Sequence, residues 1–423
     1  MNRINKLVLV AFAFFTIGAF GQTQDMAFED VYQLIDQNNF FKAKDVYSTA
    51  KNNFSPIHQK FIEAFLDHAF GRHTESNEKI AELHSQLAQF PDSLQIALCG
   101  IKADNHFNLY EYREGKTATE FVLENYGNTL SEEEKDELRN GLAIFTALEN
   151  QPKQTVTING YNKLKLKKNK TGLKSLTVAI DNDSLDFFLD TGANGSAIVR
   201  SVAEKYKMDI IPVSIEVGTS TTIKPLAQIA VCPEFHIGDI KIQNTIFFVL
   251  EDKDLSISKL FFKYKVLGVI GYPIMAALKE VQITKDGYFI VPEEETVYAD
   301  SNMATCVSTI ISIEGNPYML DTGAHETTFF KPYYLTNRDE IEKRYKIKTI
   351  RYAGAGGIVK EKGWYVIDAK LNVHDKDIIL KKVDLSKEEF QDFKGLWGAI
   401  GLDVVEQFEK MILNFNQMFI KFE

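Results

Sequence analysis

The chain has 423 residues, 45% of them apolar and 25% charged, with 25 Gly and 10 Pro, a composition that excludes collagen, coiled coil and wholesale disorder. A formal net charge of −10 gives nucleic-acid binding no electrostatic support. Three cysteines, Cys99, Cys232 and Cys306, are too few and too scattered for a disulfide framework or a zinc site.

The first residues read as a targeting segment. Arg3 and Lys6 are followed by an apolar run from Leu7 to Phe20, and Ala19-Phe20-Gly21 offers small residues to a signal peptidase, with cleavage expected after Gly21. The run is shorter than the roughly 20 residues a spanning helix needs, and no later stretch approaches that length. The mature chain is therefore expected to carry no membrane span and to be exported, to the periplasm or beyond. There an odd number of cysteines requires mostly buried thiols.

From about Asp25 to Glu149 apolar residues recur at three- and four-residue spacing, with little Gly or Pro. One stripe is Phe28, Val31, Tyr32, Leu34 and Ile35, and the next runs from Phe40 to Ala50, with Asn38-Asn39 breaking them into a hairpin. Further helices are expected around 57–70, 76–89, 92–107, 110–126 and 131–148, the last opened by a capping box of Ser131 and Glu134. Such paired helices resemble tetratricopeptide-type repeats, although no fixed period holds. The histidines here, His58, His68, His73, His84 and His106, are expected to be solvated or capping, because His68 and His73 do not share a helix face well enough for a metal site. The helical region is a candidate surface for a protein partner.

After Asn150-Gln151-Pro152 the pattern changes to alternating strands with frequent turns, an all-β layout. Within it lies a duplication. Phe187-Phe188-Leu189-Asp190-Thr191-Gly192-Ala193 is echoed by Tyr318-Met319-Leu320-Asp321-Thr322-Gly323-Ala324, and each copy follows a hairpin. Leu267-Gly268-Val269-Ile270-Gly271 is echoed by Trp397-Gly398-Ala399-Ile400-Gly401, and strands opening near Lys279 and Glu409 close the two copies. The aspartates are 131 residues apart and the first glycines of the later element 130. Two units with matching internal spacing fold alike and pair about a pseudo-two-fold axis.

An apolar strand delivers each carboxylate to a fixed place. The Thr hydroxyl can lock the turn to the neighbouring chain, and Gly lets a backbone N–H approach the carboxylate with no Cβ in the way. Two such loops can bring Asp190 and Asp321 within hydrogen-bonding distance, where like charges cannot both ionise and one proton is shared. The ionised member can then deprotonate a water while the protonated member polarises a carbonyl. That chemistry calls for no metal or cofactor.

At these residues the sequence resembles the aspartic peptidases, particularly the retropepsin-like domains of bacterial exported proteins, over about residues 153–423. The resemblance implies an all-β, two-lobed aspartic protease fold for that stretch and leaves the all-α, tetratricopeptide-like N-terminal region unmatched. The expected divisions are 1–21 signal peptide, 22–152 helical domain, 153–298 first lobe and 299–423 second lobe. It implies catalytic roles for Asp190 and Asp321, and support of their loops by Thr191, Gly192, Thr322, Gly323, Gly271 and Gly401. It also implies flaps over a peptide substrate at Gly218-Thr219 and at Gly354, Gly356 and Gly357. Both halves lie in one chain, so a dimer is not required for the site. The sequence departs from the family pattern at Asn194 and His325, and Tyr352 is the candidate for a flap tyrosine. The expected activity is endopeptidase. The alternative is a catalytically silent peptide-binding protein with a helical partner-binding domain.

Overall fold

The computed structural model describes residues 19–169, 172–219, 224–259, 262–306, 308–354, 357–388 and 393–423, and it separates into two compact units. The expected leader thus lies almost wholly outside the described residues, and Ala19 already begins a helix that passes through Gly21. Among the described residues no helix is long and apolar enough to cross a membrane.

The first unit spans residues up to Asn150, together with Ala304–Val307 and Phe390–Gly395. It holds seven α-helices among the described residues: α1 (Ala19–Asp36), α2 (Phe40–Ala50), α3 (Pro56–Ala69), α4 (His73–Leu83), α5 (Asp92–Asn108), α6 (Tyr112–Tyr126) and α7 (Glu132–Leu148). Their starts are written locally. Asn39 and Ser55 cap α2 and α3 through their side chains, Pro56 occupies the first turn of α3, and Ser131 and Glu134 close a reciprocal capping box on α7. Each helix packs on its successor, and α3 also adjoins α1 and α5. The apolar stripes meet in an aromatic cluster, with Phe61 at 5.4 Å from Phe28, 5.1 Å from Phe65 and 4.8 Å from Phe90. The helix expected over 76–89 instead begins at His73 and tightens to a 3-10 turn over His84–Gln89.

The expectation of solvated histidines fails for His68, which is buried. Its Nδ1 and that of His73 both meet Asn105 Oδ1, at 2.8 and 3.0 Å, while Asn105 Nδ2 donates to Ser76 Oγ and Asn77 Oδ1. A buried imidazole must be hydrogen-bonded, and burial holds His68 neutral, its pKa pushed down to about 4. His58 stacks on Phe28 at 4.3 Å. Among the described residues no group of His, Cys, Asp or Glu could hold a metal ion. None of the three cysteines is in a disulfide; Cys99 and Cys232 are buried and Cys306 is partly exposed.

The second unit is β-rich and built from two like halves. In the first, the hairpin Lys174–Ile180 and Asp183–Leu189 leads into the Asp190 loop, after which the chain returns as the strand Ala197–Val199. The short strand Gly268–Ile270 lies between, parallel to Asp183–Leu189 and antiparallel to Ala197–Val199. The second half repeats this arrangement. Gly398–Ile400 runs parallel to Asn316–Leu320 and antiparallel to Thr328–Phe329, with Leu320 opposite Ile400 as Leu189 is opposite Ile270. These segments are apolar because both faces of the central strands are covered, and Phe187, Leu189, Ile270, Leu320 and Ile400 are buried.

The halves are joined by a five-stranded sheet in the order Asn162–Lys165, Tyr288–Val291, Glu280–Thr284, Lys410–Asn414, Phe419–Phe422. Its middle pair is antiparallel, with Gln282 facing Ile412. Those two residues are related by the sequence repeat, so the strand pairs with its own copy and the pseudo-two-fold axis passes through this point.

Candidate active site

Asp190 and Asp321 sit at the ends of equivalent strands, each with its backbone N–H held by the buried strand alongside. Asp190 donates to Ile270 O at 3.0 Å and Asp321 to Ile400 O at 2.9 Å. The two loops grip each other through their threonines, both buried. Thr191 Oγ1 donates to Leu320 O at 2.8 Å and accepts from Thr322 N at 3.0 Å. Thr322 Oγ1 donates to Leu189 O at 3.0 Å and accepts from Thr191 N at 3.0 Å. Four buried backbone groups, two from each half, are satisfied only across the junction. That reciprocity fixes one loop against the other.

The glycines that follow make room for the opposite carboxylate. A Cβ on Gly192 would lie 2.9 Å from Asp321 Oδ1 and 3.2 Å from Asp190 Oδ1, and one on Gly323 would lie 2.5 Å from Asp190 Oδ2. One point close to both acids places them well inside a nanometre of each other, and the two carboxyls share a hydrogen bond. Gly192 N–H donates to Asp190 Oδ1 at 2.9 Å. Burial pushes Asp190 up, against the amides of Gly192, Ala193 and Gly323 and the hydrogen bond from Asp321. Burial pushes Asp321 well up too, and there the charge of Asp190 adds to it. Like charges this close cannot both ionise, so the pair holds one shared proton.

Gly271 and Gly401 tuck beneath these loops. A Cβ on Gly271 would lie 2.4 Å from Gly195 O, and one on Gly401 2.7 Å from Glu326 C, so no larger residue fits at either place. The Gly271 N–H donates to Ser196 Oγ and the Gly401 N–H to Thr327 Oγ1, both at 3.1 Å. Ser196 and Thr327 were missed in the sequence, although a signal existed: each stands six residues after its aspartate and each carries a hydroxyl. Asp403 was missed as well. It accepts from Thr327 Oγ1 at 2.6 Å and from Thr327 N at 3.0 Å, and the first half has Pro273 in its place.

Gly218 and Thr219 follow the strand Asp209–Glu216 in the hairpin that returns along Leu226–Ile237, where Val217 N donates to Pro225 O at 3.0 Å. Gly354 and Gly357 face each other at the end of the hairpin Lys348–Gly354 and Gly357–Val373, and Gly357 has φ 142°, a backbone state that favours glycine. Gly356 lies outside the described residues, as does the side chain of Tyr352. His325 is exposed, with a Cβ on Gly172 reaching to 3.2 Å from its ring.

Residues 176–273, which hold the first aspartate, its hairpin and the Gly271 element, match the family model described as Aspartyl protease. No curated protein matches this chain. Among solved structures, a retropepsin-like aspartic protease from Rickettsia conorii is similar at 19% identity, covering 33% of this chain and 94% of that one, with a TM-score of 0.23. The family match thus covers the first half of the β-rich unit, which a helical region precedes. The unit's paired acids, one from each half, give it an aspartic protease-like function.

Proposed function

We propose that this chain is an exported aspartic endopeptidase. The observation that carries the reading is the pair Asp190 and Asp321, brought from two halves of one chain onto a threonine grip and sharing a hydrogen bond. In this mechanism the ionised Asp190 takes a proton from a water between the acids, and the water oxygen forms a bond to the scissile carbonyl carbon. Asp321 gives its proton to the carbonyl oxygen, which relieves the charge developing there. Asp190 then passes its proton to the amide nitrogen and a hydroxyl of the gem-diol returns its proton to Asp321 as the C–N bond breaks, leaving a free carboxyl, a free amine and one proton on the pair. Backbone groups of the glycine-bearing hairpins at Gly218-Thr219 and Gly354–Gly357 pair with an extended peptide and hold it over the acids.

Export rests on the basic, apolar and small-residue sequence of the first 21 positions. The helical unit serves as the surface for a protein partner. The test is cleavage of a mixed peptide library by the purified chain, with and without a pepstatin-type inhibitor. Cleavage that the inhibitor abolishes is expected; cleavage that it leaves untouched, or none between pH 3 and 8, contradicts the proposal.

A further inference from the structure

The two halves differ in what lies behind their aspartates. In the second, Asp321 N–H donates to Ile400 O at 2.9 Å, and the N–H of that same peptide unit, on Gly401, donates to Thr327 Oγ1 at 3.1 Å. The Thr327 hydroxyl then gives its own proton to Asp403 Oδ1 at 2.6 Å. This carboxyl is surrounded by donors: Thr327 N reaches both its oxygens at 3.0 Å, and Val404 N reaches Oδ1 at 3.0 Å. Burial pushes the Asp403 carboxyl up, against these donors, which favour its ionised form. A run of hydrogen bonds, all pointing the same way, thus starts at the amide of Asp321 and ends on the Asp403 carboxyl. In the first half the run from Asp190 N through Ile270 O and Gly271 N stops at Ser196 Oγ, and Pro273 stands where an acid would be.

We propose that Asp403 is a positioning residue which, acting through Thr327 and the Ile400–Gly401 peptide, keeps the shared proton on Asp321 and leaves Asp190 as the base. The physical reason is that each hydrogen bond polarises the next, and a fixed negative charge behind one aspartate disfavours a second negative charge on it. Burial raises both aspartates, and at Asp321 the charge of Asp190 adds to the rise. Other charged groups face Asp403 from the elements around it. Glu326 lies on the Asp321 loop, which also carries His325, whose carbonyl accepts from Asp403 N at 3.2 Å. The strand Lys376–Ser386 packed beside it brings Asp384, with Lys382 at 3.5 Å from that acid, and Lys376, bonded to Gln407 O. Glu406 pairs with Lys168 and Lys174. Of these, only Asp403 is joined to the amide of Asp321 by the hydrogen-bond run.

The inference deepens the proteolytic reading and rests on it for its catalytic consequence, but its test does not. The full chain, labelled with ¹³C at the aspartate carboxyls, is titrated by NMR, with signals assigned through Asp190→Asn and Asp321→Asn. Asp321 is expected to be the acid that titrates last. Asp403→Asn, which keeps the shape and the contact to Thr327, is expected to move that step down by about 0.5 on the pH scale or more. Thr327→Val is expected to lower it likewise, Thr327→Ser to restore it, and Ser196→Ala to leave it in place. If Asp403→Asn does not fold, the Thr327 pair carries the test. A step that stays in place in Asp403→Asn and Thr327→Val, or Asp190 as the last to titrate, overturns the inference. If wild type cleaves peptides, the alkaline limb of its pH profile moves down with the titration. If it cleaves none, the proteolytic reading fails while the titration still decides the role of Asp403.

Discussion

The two halves of the β-rich unit arrive at one floor by unequal means. The threonine grip, the parallel pairing of the catalytic strand and the hydroxyl beneath each Gly are common to both. The acid behind Thr327 belongs to the second half alone, since Pro273 fills its place in the first. A duplicated fold thus supplies symmetry in position, while the chemistry of a shared proton needs the two acids to differ. The lesson is that position is set by what the repeat kept and proton placement by what it changed.

That contrast can be broken most severely at the glycines. Gly323→Ala would drive a methyl to 2.5 Å from Asp190, and Gly192→Ala one to 2.9 Å from Asp321. Both are expected to lower kcat, Gly323→Ala by about a hundredfold or more because it displaces the base, and Gly192→Ala by less. Steady-state kinetics on one peptide checks the order; equal effects would remove the difference in closeness as its cause.

The grip tests the symmetric part. Thr322→Val leaves Thr191 N and Leu189 O without partners, and Thr191→Val leaves Thr322 N and Leu320 O. Each is expected to cost about 1–3 kcal/mol per stranded group, equally in the two variants, read as a drop in Tm. Because they share one network, the double variant is expected to lose less than both losses together.

The pair of acids also bears on stability. An acid whose folded pKa is raised makes the fold bind more protons than the unfolded chain, so stability falls as pH rises from the ordinary Asp value through the folded one. Both aspartates are raised. Asp321→Asn is therefore expected to be inactive and yet more stable than wild type at pH 7, with no gain near pH 3. A tenfold difference in proton affinity between the folded and unfolded chain corresponds to about 1.4 kcal/mol, or roughly 2–4 °C in Tm for a domain of this size. The smallest effect is expected at Ser196→Ala, which removes one hydrogen bond and no charge, a change of about 1 kcal/mol measured by denaturant unfolding.

Much of this was legible before the structure. The two Asp-Thr-Gly copies and the two later glycine elements are written as contiguous runs, and the helices as stripes with an explicit cap at Ser131. What escaped depends on partners distant in sequence. Thr327 and Asp403 meet across 76 residues and have no counterpart pair in the first half, so the repeat offered no second example. His68 and His73 looked solvated because periodicity assigns a face and says nothing of the Asn105 side chain that meets them there.

The claim beneath all of this is that both halves contribute an acid to one reaction. It is tested most directly by following cleavage of a single peptide by wild type, Asp190→Asn and Asp321→Asn at matched concentration. The account expects each variant to lose about a thousandfold or more in rate while remaining folded. A wild-type rate from either variant would contradict it.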